Sequence, residues 1–308
     1  RLGQGEYLVA EADESDGSFL KLSPTIAVVT NIDPEHMDHY GDLERLEETF
    51  LDFVNKVPFY GLSVLCLDCD SIRRLLPRVE KRCVTYGSTP QADYSLRDVT
   101  SNGLSMSFTP VRHGAALEPV QLQMVGRHNV LNALAAVAVA DELEIPYERT
   151  REALCEFGGI QRRFTVRGEQ AGVMVVDDYG HHPTEILATL AGAREAFQRR
   201  VVAVFQPHRY SRTRLLFDQF ATAFHDADVV LMTEIDAAGE PPVEGIDGAR
   251  LADAMRAHGQ KDVTFCPDRD QLLDLLLERV AEGDVVLTLG AGDIWRVGQA
   301  LVEKLAGR

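Results

Sequence analysis

The chain has 308 residues, 45% of them hydrophobic, with 31 Lys and Arg against 48 Asp and Glu for a net charge of −17. That length suits two domains better than one core, and the acidic excess opposes nonspecific binding to nucleic acid or to an anionic membrane. No apolar run approaches the roughly 18 residues of a membrane helix, and five irregularly spaced cysteines form no disulfide framework, so a reducing, cytoplasmic setting is expected.

The chain starts at Arg1 with no signal or transit pattern and reaches an apolar run, YLVAEA, six residues later. A buried-type strand so close to a start without Met predicts further sequence upstream. Strands are predicted at 7–10 and 26–30. The first runs into Glu11, Asp13, Glu14 and Asp16, and the second into TNIDPEHMDHY, with Asp33, Glu35, His36, Asp38 and His39. Such a set can hold a divalent cation, since Mg²⁺ prefers carboxylate oxygen and water. A solvated acidic rim is the plainer alternative, and His36 placed directly after a strand favours the metal.

A helix is predicted at 43–57, then short strands at 63–67, 83–86, 94–99, 104–108 and 120–124, the later ones joined by hairpin turns such as Asn102-Gly103. Cys66 and Cys69 form a CxxC with no second pair, which argues against a zinc ribbon. GRHNVLN at 126–132 opens a helix predicted at 129–142. Free backbone donors there suit a phosphate or nucleotide, and N-capping by Asn129 explains the same residues equally well. After a helix at 147–157, Gly158-Gly159 reads as a hinge between two domains, 1–157 and 158–308.

The second half alternates regularly: strands at 173–176, 201–205, 228–232, 262–265 and 284–289, and helices at 184–198, 213–225, 247–258, 268–281 and 293–306. The fold class is therefore α/β, a mixed-sheet domain followed by a complete Rossmann-like domain with a mainly parallel sheet. DDYGHHPTEI at 177–186 and FQPHRYSRT at 205–213 each follow a strand and lead into a helix, where open α/β sheets bind ligands. They would sit side by side on neighbouring strands and gather Asp178, Tyr179, His181, His182, His208, Arg209 and Arg212. Carboxylate, imidazole, phenol and guanidinium groups together grip anions and manage protons. Either His182 or His208 alone reads equally well as a helix cap. The phosphate loop GxxxxGK[ST] is absent, and GAGD at 290–293 reads as a tight turn rather than a dinucleotide fingerprint.

EADESD, TNIDPEHMDHY, GRHNVLNALAA, RRF, DDYGHHPTEI, FQPHRYSRT and LTLGAGDIW occur in this order and together resemble the Mur ligase family across essentially the whole chain. DESD and DDYGHHPTE are similar to its alanine-adding branch rather than to the branch that recycles murein tripeptide. The resemblance implies an ATP-dependent amide ligase of peptidoglycan synthesis with an N-terminal UDP-binding domain, a central ATPase domain and a C-terminal Rossmann-like domain. Residues 1–157 then correspond to the later part of the central domain, and the missing upstream domains of the same protein carry the glycine loop. In that family ATP phosphorylates the carboxylate of UDP-N-acetylmuramate, and the amino group of L-alanine attacks the acyl phosphate, with ATP and Mg²⁺ as cofactors.

By match to the family motifs, Glu11 and His36 are implied as Mg²⁺ ligands, with Glu14 as the alternative in the same acidic run. His128, Asn129 and Asn132 are implied at the nucleotide base and ribose, Arg163 at the phosphates and Asp178 at the nucleotide. Tyr179, His181, His208, Arg209 and Arg212 are implied at the muramyl carboxylate, the alanine or the product, and His181 or His182 as proton acceptor. Several relatives carry a carbamylated lysine after HMD. This chain has Phe50-Leu51 there and no lysine until Lys56, so a carbamate-dependent metal site is not expected. Two competing readings are a noncatalytic module that captures an anionic ligand, and a nicotinamide oxidoreductase resting on Gly290 and Gly292 alone.

Overall fold

The runs predicted as strands become strands in the computed structural model, which describes residues 5–307, with one exception near its start. Tyr7, Leu8 and Val9 are 65%, 91% and 95% exposed and form no strand. An apolar run without a neighbouring ladder leaves its backbone donors to water, so the strand predicted at 7–10 is corrected to coil. The chain divides into two units: Arg1–Arg97, Pro110–Leu117 and Leu134–Tyr147 form the first, and Asp98–Thr109, Glu118–Ala133 and Glu148–Arg308 the second.

In the first unit β1 (Ile26–Val29), β2 (Leu62–Cys66), β3 (Cys83–Tyr86) and the start of β4 (Tyr94–Asn102) pair in parallel, through Val28↔Val64, Val64↔Val84 and Tyr86↔Tyr94. Every residue of β2 is buried, as a strand covered on both faces requires. A short α1 (Met37–Tyr40) precedes α2 (Leu43–Asn55), whose first turn is capped by Asp42 accepting from the Arg45 N–H at 2.8 Å. Phe19 packs on Phe50 and Phe53 of α2, with ring centroids 5.2 and 4.8 Å apart, so Phe50 serves the core. A further short helix, α3 (Asp70–Leu75), was not foreseen from the sequence.

β5 (Ser105–Arg112) closes in antiparallel fashion on β6 (Ala115–Ala116) at Val111↔Ala116 in the first unit. Its opening residues pair with β7 (Val120–Leu122) at Met106↔Leu122 in the second. Two helices, α4 (Arg127–Glu142) and α5 (Tyr147–Glu156), follow.

The second unit carries a six-stranded sheet built from β8 (Thr165–Gln170), β9 (Val173–Asp178), β10 (Val201–Phe205), β11 (Val229–Met232), β12 (Val263–Phe265) and β13 (Val285–Leu289). Its order is β12-β11-β10-β13-β9-β8, parallel except for β8. Successive residues alternate between two apolar layers, Val176, Ala203 and Leu287 facing one and Val175, Val202 and Val286 the other, as the period-two pleat dictates. The covering helices are α6 (Pro183–Ala196), α7 (Tyr210–Leu215), α8 (Phe217–Thr222), α9 (Gly248–Ala257), α10 (Arg269–Arg279) and α11 (Trp295–Ala306).

Two expectations change here, and one strand was not foreseen. β13 lies between β9 and β10, so the two polar clusters do not stand on neighbouring strands; alternation reveals strands but not their order. The helix predicted at 213–225 starts earlier and breaks at Leu216 into α7 and α8. The polar edge strand β8, with a bulge at Val166/Gly168, carried no apolar signal to reveal it. No helix among the described residues is long and apolar enough to cross a membrane.

Candidate functional site

In the first unit the chain leaving β1 enters the left-handed region at His36 (φ 55°), a strained conformation for a residue with a Cβ. The turn brings His36 Nε2 within 3.6 Å of Glu14 Oε1. Ligand atoms of Glu14, Glu35 and His36 all lie within 4.8 Å of one another. Two carboxylates with one imidazole make a donor set that fits a divalent cation. Of the ligands implied by resemblance, His36 and Glu14 are here, whereas Glu11 is exposed and outside the group. Glu35 joins them. The Lys56 ammonium donates to the Leu20 carbonyl.

At the start of α4, Asn129 is buried and its Nδ2 donates to the Val125 carbonyl at 2.8 Å. It pins the preceding loop rather than capping the helix. Gly126 (φ 97°) is required there, because a Cβ would lie 2.5 Å from the His128 ring. His128 keeps a solvent-facing edge, yet the protein packed around it, and then Arg163, lower its pKa. Asn132 is exposed one turn on.

The second unit concentrates its polar chemistry where β9, β13 and β10 end. Asp177 is fully buried: Oδ2 accepts from Arg167 at 2.7 Å and Arg162 at 3.3 Å, and Oδ1 from the Thr288 hydroxyl at 3.0 Å. Asp178 accepts the N–H of Phe164 and of Gly180, each at 2.8 Å. Burial raises its pKa despite those bonds. Both of its oxygens shape the turn. Tyr179 lies at the surface with Arg162 4.8 Å and Arg163 5.7 Å from its ring centroid, and His181 edge-on at 5.1 Å.

His182 is 2% exposed and is the N-cap of α6, its Nδ1 accepting from Thr184 N–H at 3.3 Å. The capping alternative thus describes His182, whose ring is buried at the start of its own helix. Glu185 completes the box and does more. Its Oε2 accepts the His181 and His182 N–H groups at 3.0 and 3.2 Å, and its Oε1 accepts Arg163 at 3.0 Å. Burial opposes its ionisation, but His181, the His181 N–H and Arg163 prevail and hold its pKa below the usual carboxylate value.

After β10, Arg209 takes φ 69° and its N–H donates to the Asp236 carbonyl at 2.8 Å. Ser211 donates through N–H and hydroxyl to Glu240 at 2.9 and 2.7 Å, and Arg212 Nη1 reaches the His208 carbonyl at 3.4 Å. Nδ1 of His208 and Oε1 of Gln206 are buried with no hydrogen-bond partner among the described residues. Burial depresses the His208 pKa; Asp236 works against this, and Arg212, His181 and Arg209 reinforce it. These influences favour the neutral imidazole.

GAGD at the end of β13 occupies the space between the clusters. A Cβ on Gly292 would sit 2.6 Å from both Gln206 Oε1 and Asp236 Oδ2, and one on Gly290 (φ 148°) 2.8 Å from the Gln206 carbonyl. Asp293 pairs with Arg269. The tight turn is thus also the spacer across which the rings of His181 and His208 come within 6.2 Å. Insertion of one strand between two others creates the switch point at which such sheets bind ligands.

The sequence matches two protein-family models, "Mur ligase middle domain" over residues 3–140 and "Mur ligase, glutamate ligase domain" over 162–292. It is 60% identical over 305 residues to the UDP-N-acetylmuramate–L-alanine ligase of Myxococcus xanthus, covering 99% of this chain and 65% of that protein. Against the protein of the same name from Geotalea uraniireducens it is 57% identical over 307 residues, covering 100% of this chain and 67% of that one. The chain belongs to the Mur ligase family.

Among solved Mur ligases, the UDP-N-acetylmuramate-alanine ligase of Thermotoga maritima superposes with a TM-score of 0.77 at 30% identity, over 95% of this chain and 62% of that one. The murein peptide ligase of Psychrobacter arcticus, at 23% identity and a TM-score of 0.66 over 94% of this chain and 59% of that one, shares the fold. This chain spans about two thirds of the length of the family members it matches, 65% for the first. Within its Mur ligase fold, sequence reasoning missed Arg162, Asp177 and Glu185 as site residues. All three stand inside quoted motifs; Arg162 and Asp177 have partners distant in sequence, which no local pattern shows, whereas the place of Glu185 three residues after His182 is the spacing of a capping box and could have revealed it.

Proposed function

We propose that the full protein is an ATP-dependent ligase that joins the amino group of L-alanine to the muramyl carboxylate of UDP-N-acetylmuramate through an acyl phosphate, in the cytoplasm, for peptidoglycan synthesis. The observation that carries this reading is 57–60% identity to relatives bearing that name. The meeting of His181 and His208 beside Arg212 agrees with it. Residues 1–157 act as the later part of the nucleotide-handling domain and 158–308 as the ligase domain. Glu14, Glu35 and His36 hold Mg²⁺, which when bound offsets the repulsion between phosphate and carboxylate.

Arg209 and Arg212 bind the substrate carboxylate, for which a planar guanidinium offers two parallel hydrogen bonds. Tyr179 and His181 line the same site. His128 and Asn132 face the nucleotide, with Asn129 holding their loop, and Arg163 reaches its phosphates. Between the adjacent histidines, His181 is the proton acceptor for the alanine ammonium, because it faces His208 whereas His182 caps α6.

The test is phosphate release by the complete protein with ATP and UDP-N-acetylmuramate, comparing L-alanine with glycine and L-serine. L-Alanine is expected to give the highest kcat/KM; no amino-acid-dependent release would overturn the reading. Residues 1–308 alone, without a glycine loop for the β and γ phosphates, are expected to show none.

Two substitutions in the complete protein probe the residue roles. Arg212→Ala is expected to raise KM for UDP-N-acetylmuramate or alanine by about tenfold or more, the scale of a lost charge-assisted hydrogen bond, with little change in KM for ATP. An equal rise for all three substrates would remove Arg212 from the carboxylate site. His36→Ala is expected to raise the Mg²⁺ concentration giving half-maximal rate by about tenfold, losing one of three protein donors. An unchanged Mg²⁺ titration would contradict the assignment.

A further inference from the structure

The geometry points to Arg162 as the positioning residue that fixes the spacing between the two histidine clusters. This rests on the proposed ligase reading for its kinetic consequence, but the structural claim stands on contacts within the second unit alone. Arg162 Nη2 donates to the carbonyls of Gly290 at 2.7 Å and Gly292 at 3.2 Å, and Nη1 to that of Ala291 at 3.3 Å. Three consecutive carbonyls of the loop after β13 therefore converge on one guanidinium. Its Nε faces Asp177 at 3.3 Å, so the cation is tied to the buried carboxylate at the end of β9.

The same residue holds Tyr179 twice. The Arg162 carbonyl accepts the Tyr179 N–H at 2.7 Å, and the guanidinium lies 4.8 Å from the Tyr179 ring centroid. Arg162 adopts φ 60° and Phe164 φ 50°, a pair of non-glycine residues in the left-handed region that side chains rarely adopt. Such a backbone persists only where the surrounding contacts over-determine it.

The held loop is in turn wedged against the second cluster, since Gly292 leaves no room for a Cβ beside Gln206 and Asp236. The Gly290 N–H also reaches the Asp178 carbonyl at 3.3 Å. Arg162 thus connects the strand end bearing Tyr179 and His181 to the loop packed against Gln206 and Asp236; His208 follows Gln206 in the chain and bridges to Asp236. A lysine could reach one carbonyl but cannot fan across three while facing Asp177. Arg163, its neighbour in the RRF motif, donates to Glu185 Oε1 at 3.0 Å.

Two readouts in the complete protein separate positioning from simple support of Asp177. Arg167→Ala is the comparison, because Arg167 pairs with the same Asp177 oxygen, at 2.7 Å. Hydrogen exchange of a peptide covering residues 289–295 should speed up about tenfold or more in Arg162→Ala, as loss of a bonded loop permits local opening, and remain near wild type in Arg167→Ala. In kinetics, Arg162→Ala should raise KM for UDP-N-acetylmuramate or L-alanine about tenfold with KM for ATP nearly unchanged. Arg162→Lys should recover less than half of either effect.

Identical exchange and identical kinetic patterns in Arg162→Ala and Arg167→Ala would overturn the assignment, as would full rescue by lysine. If the wild-type protein shows no alanine-dependent phosphate release, the ligase reading fails. The exchange comparison still decides whether Arg162 holds the loop.

Discussion

Asp177→Ala is expected to lower the unfolding free energy of the second unit by about 3 kcal/mol, the lower part of the range for breaking a buried ion pair. The carboxylate is fully buried, while the Arg162 and Arg167 side chains remain 24% and 32% exposed, so the two cations regain some water once their partner is gone. An exposed pair would contribute only about 0–1 kcal/mol. Burial decides between the two magnitudes, because the Thr288 hydroxyl and two guanidiniums all face one carboxylate that no solvent reaches. The single tryptophan of these 308 residues, Trp295, opens α11 in the same unit, and Arg167 lies 5.8 Å from its ring centroid. Its fluorescence during urea unfolding reports the transition directly. Asp177→Asn, which keeps the shape and one acceptor, should lose less than the alanine variant. A loss under about 1 kcal/mol for Asp177→Ala would mean that the cluster is solvated and contributes little.

The elements of the second unit were legible in the sequence because its parallel strands are short, mainly apolar and β-branched runs, as VVAVF at Val201–Phe205 and VVLTL at Val285–Leu289 show. Their order was not. Nothing local to VVLTL says that it inserts between β9 and β10; that follows from how crossovers pack around the whole sheet. The missed strand β8 has the opposite cause, since TVRGEQ is a polar edge whose strand identity comes from its neighbour β9. At the N-terminal side YLVAEA had the right composition but no ladder, and remained coil.

The candidate site divides in the same way. Residues whose side-chain chemistry itself suggests a role, such as His36, His181, His208 and Arg212, stood out by type and placement. Of the residues that act by holding others, Arg162 and Asp177 did not, because their importance lies in partners up to 130 positions away, as between Arg162 and Gly292. Glu11 and Glu14 looked alike in the acidic run. Only the turn around His36 selects Glu14.

Glu185→Ala is expected to reduce kcat/KM of the complete protein by about 100-fold while costing about 1–2 kcal/mol of stability, the scale of a lost helix cap. The two effects have different origins. Stability depends on the His181 and His182 N–H groups that Glu185 accepts at the first turn of α6. Activity depends on Arg163, which Glu185 holds at 3.0 Å and which the proposed mechanism directs to the nucleotide phosphates. Misplacing a group of that kind by about 1 Å can cost roughly 100-fold in rate. Glu185→Gln separates them, because an amide oxygen still accepts the backbone N–H groups but carries no charge to orient a guanidinium. The glutamine variant should therefore regain most of the thermal stability and much less of the activity. Recovery of both to the same extent would reduce Glu185 to a helix cap. Loss of both to the same extent would show that Arg163 is placed by the fold of the α6 turn rather than by the charge beside it.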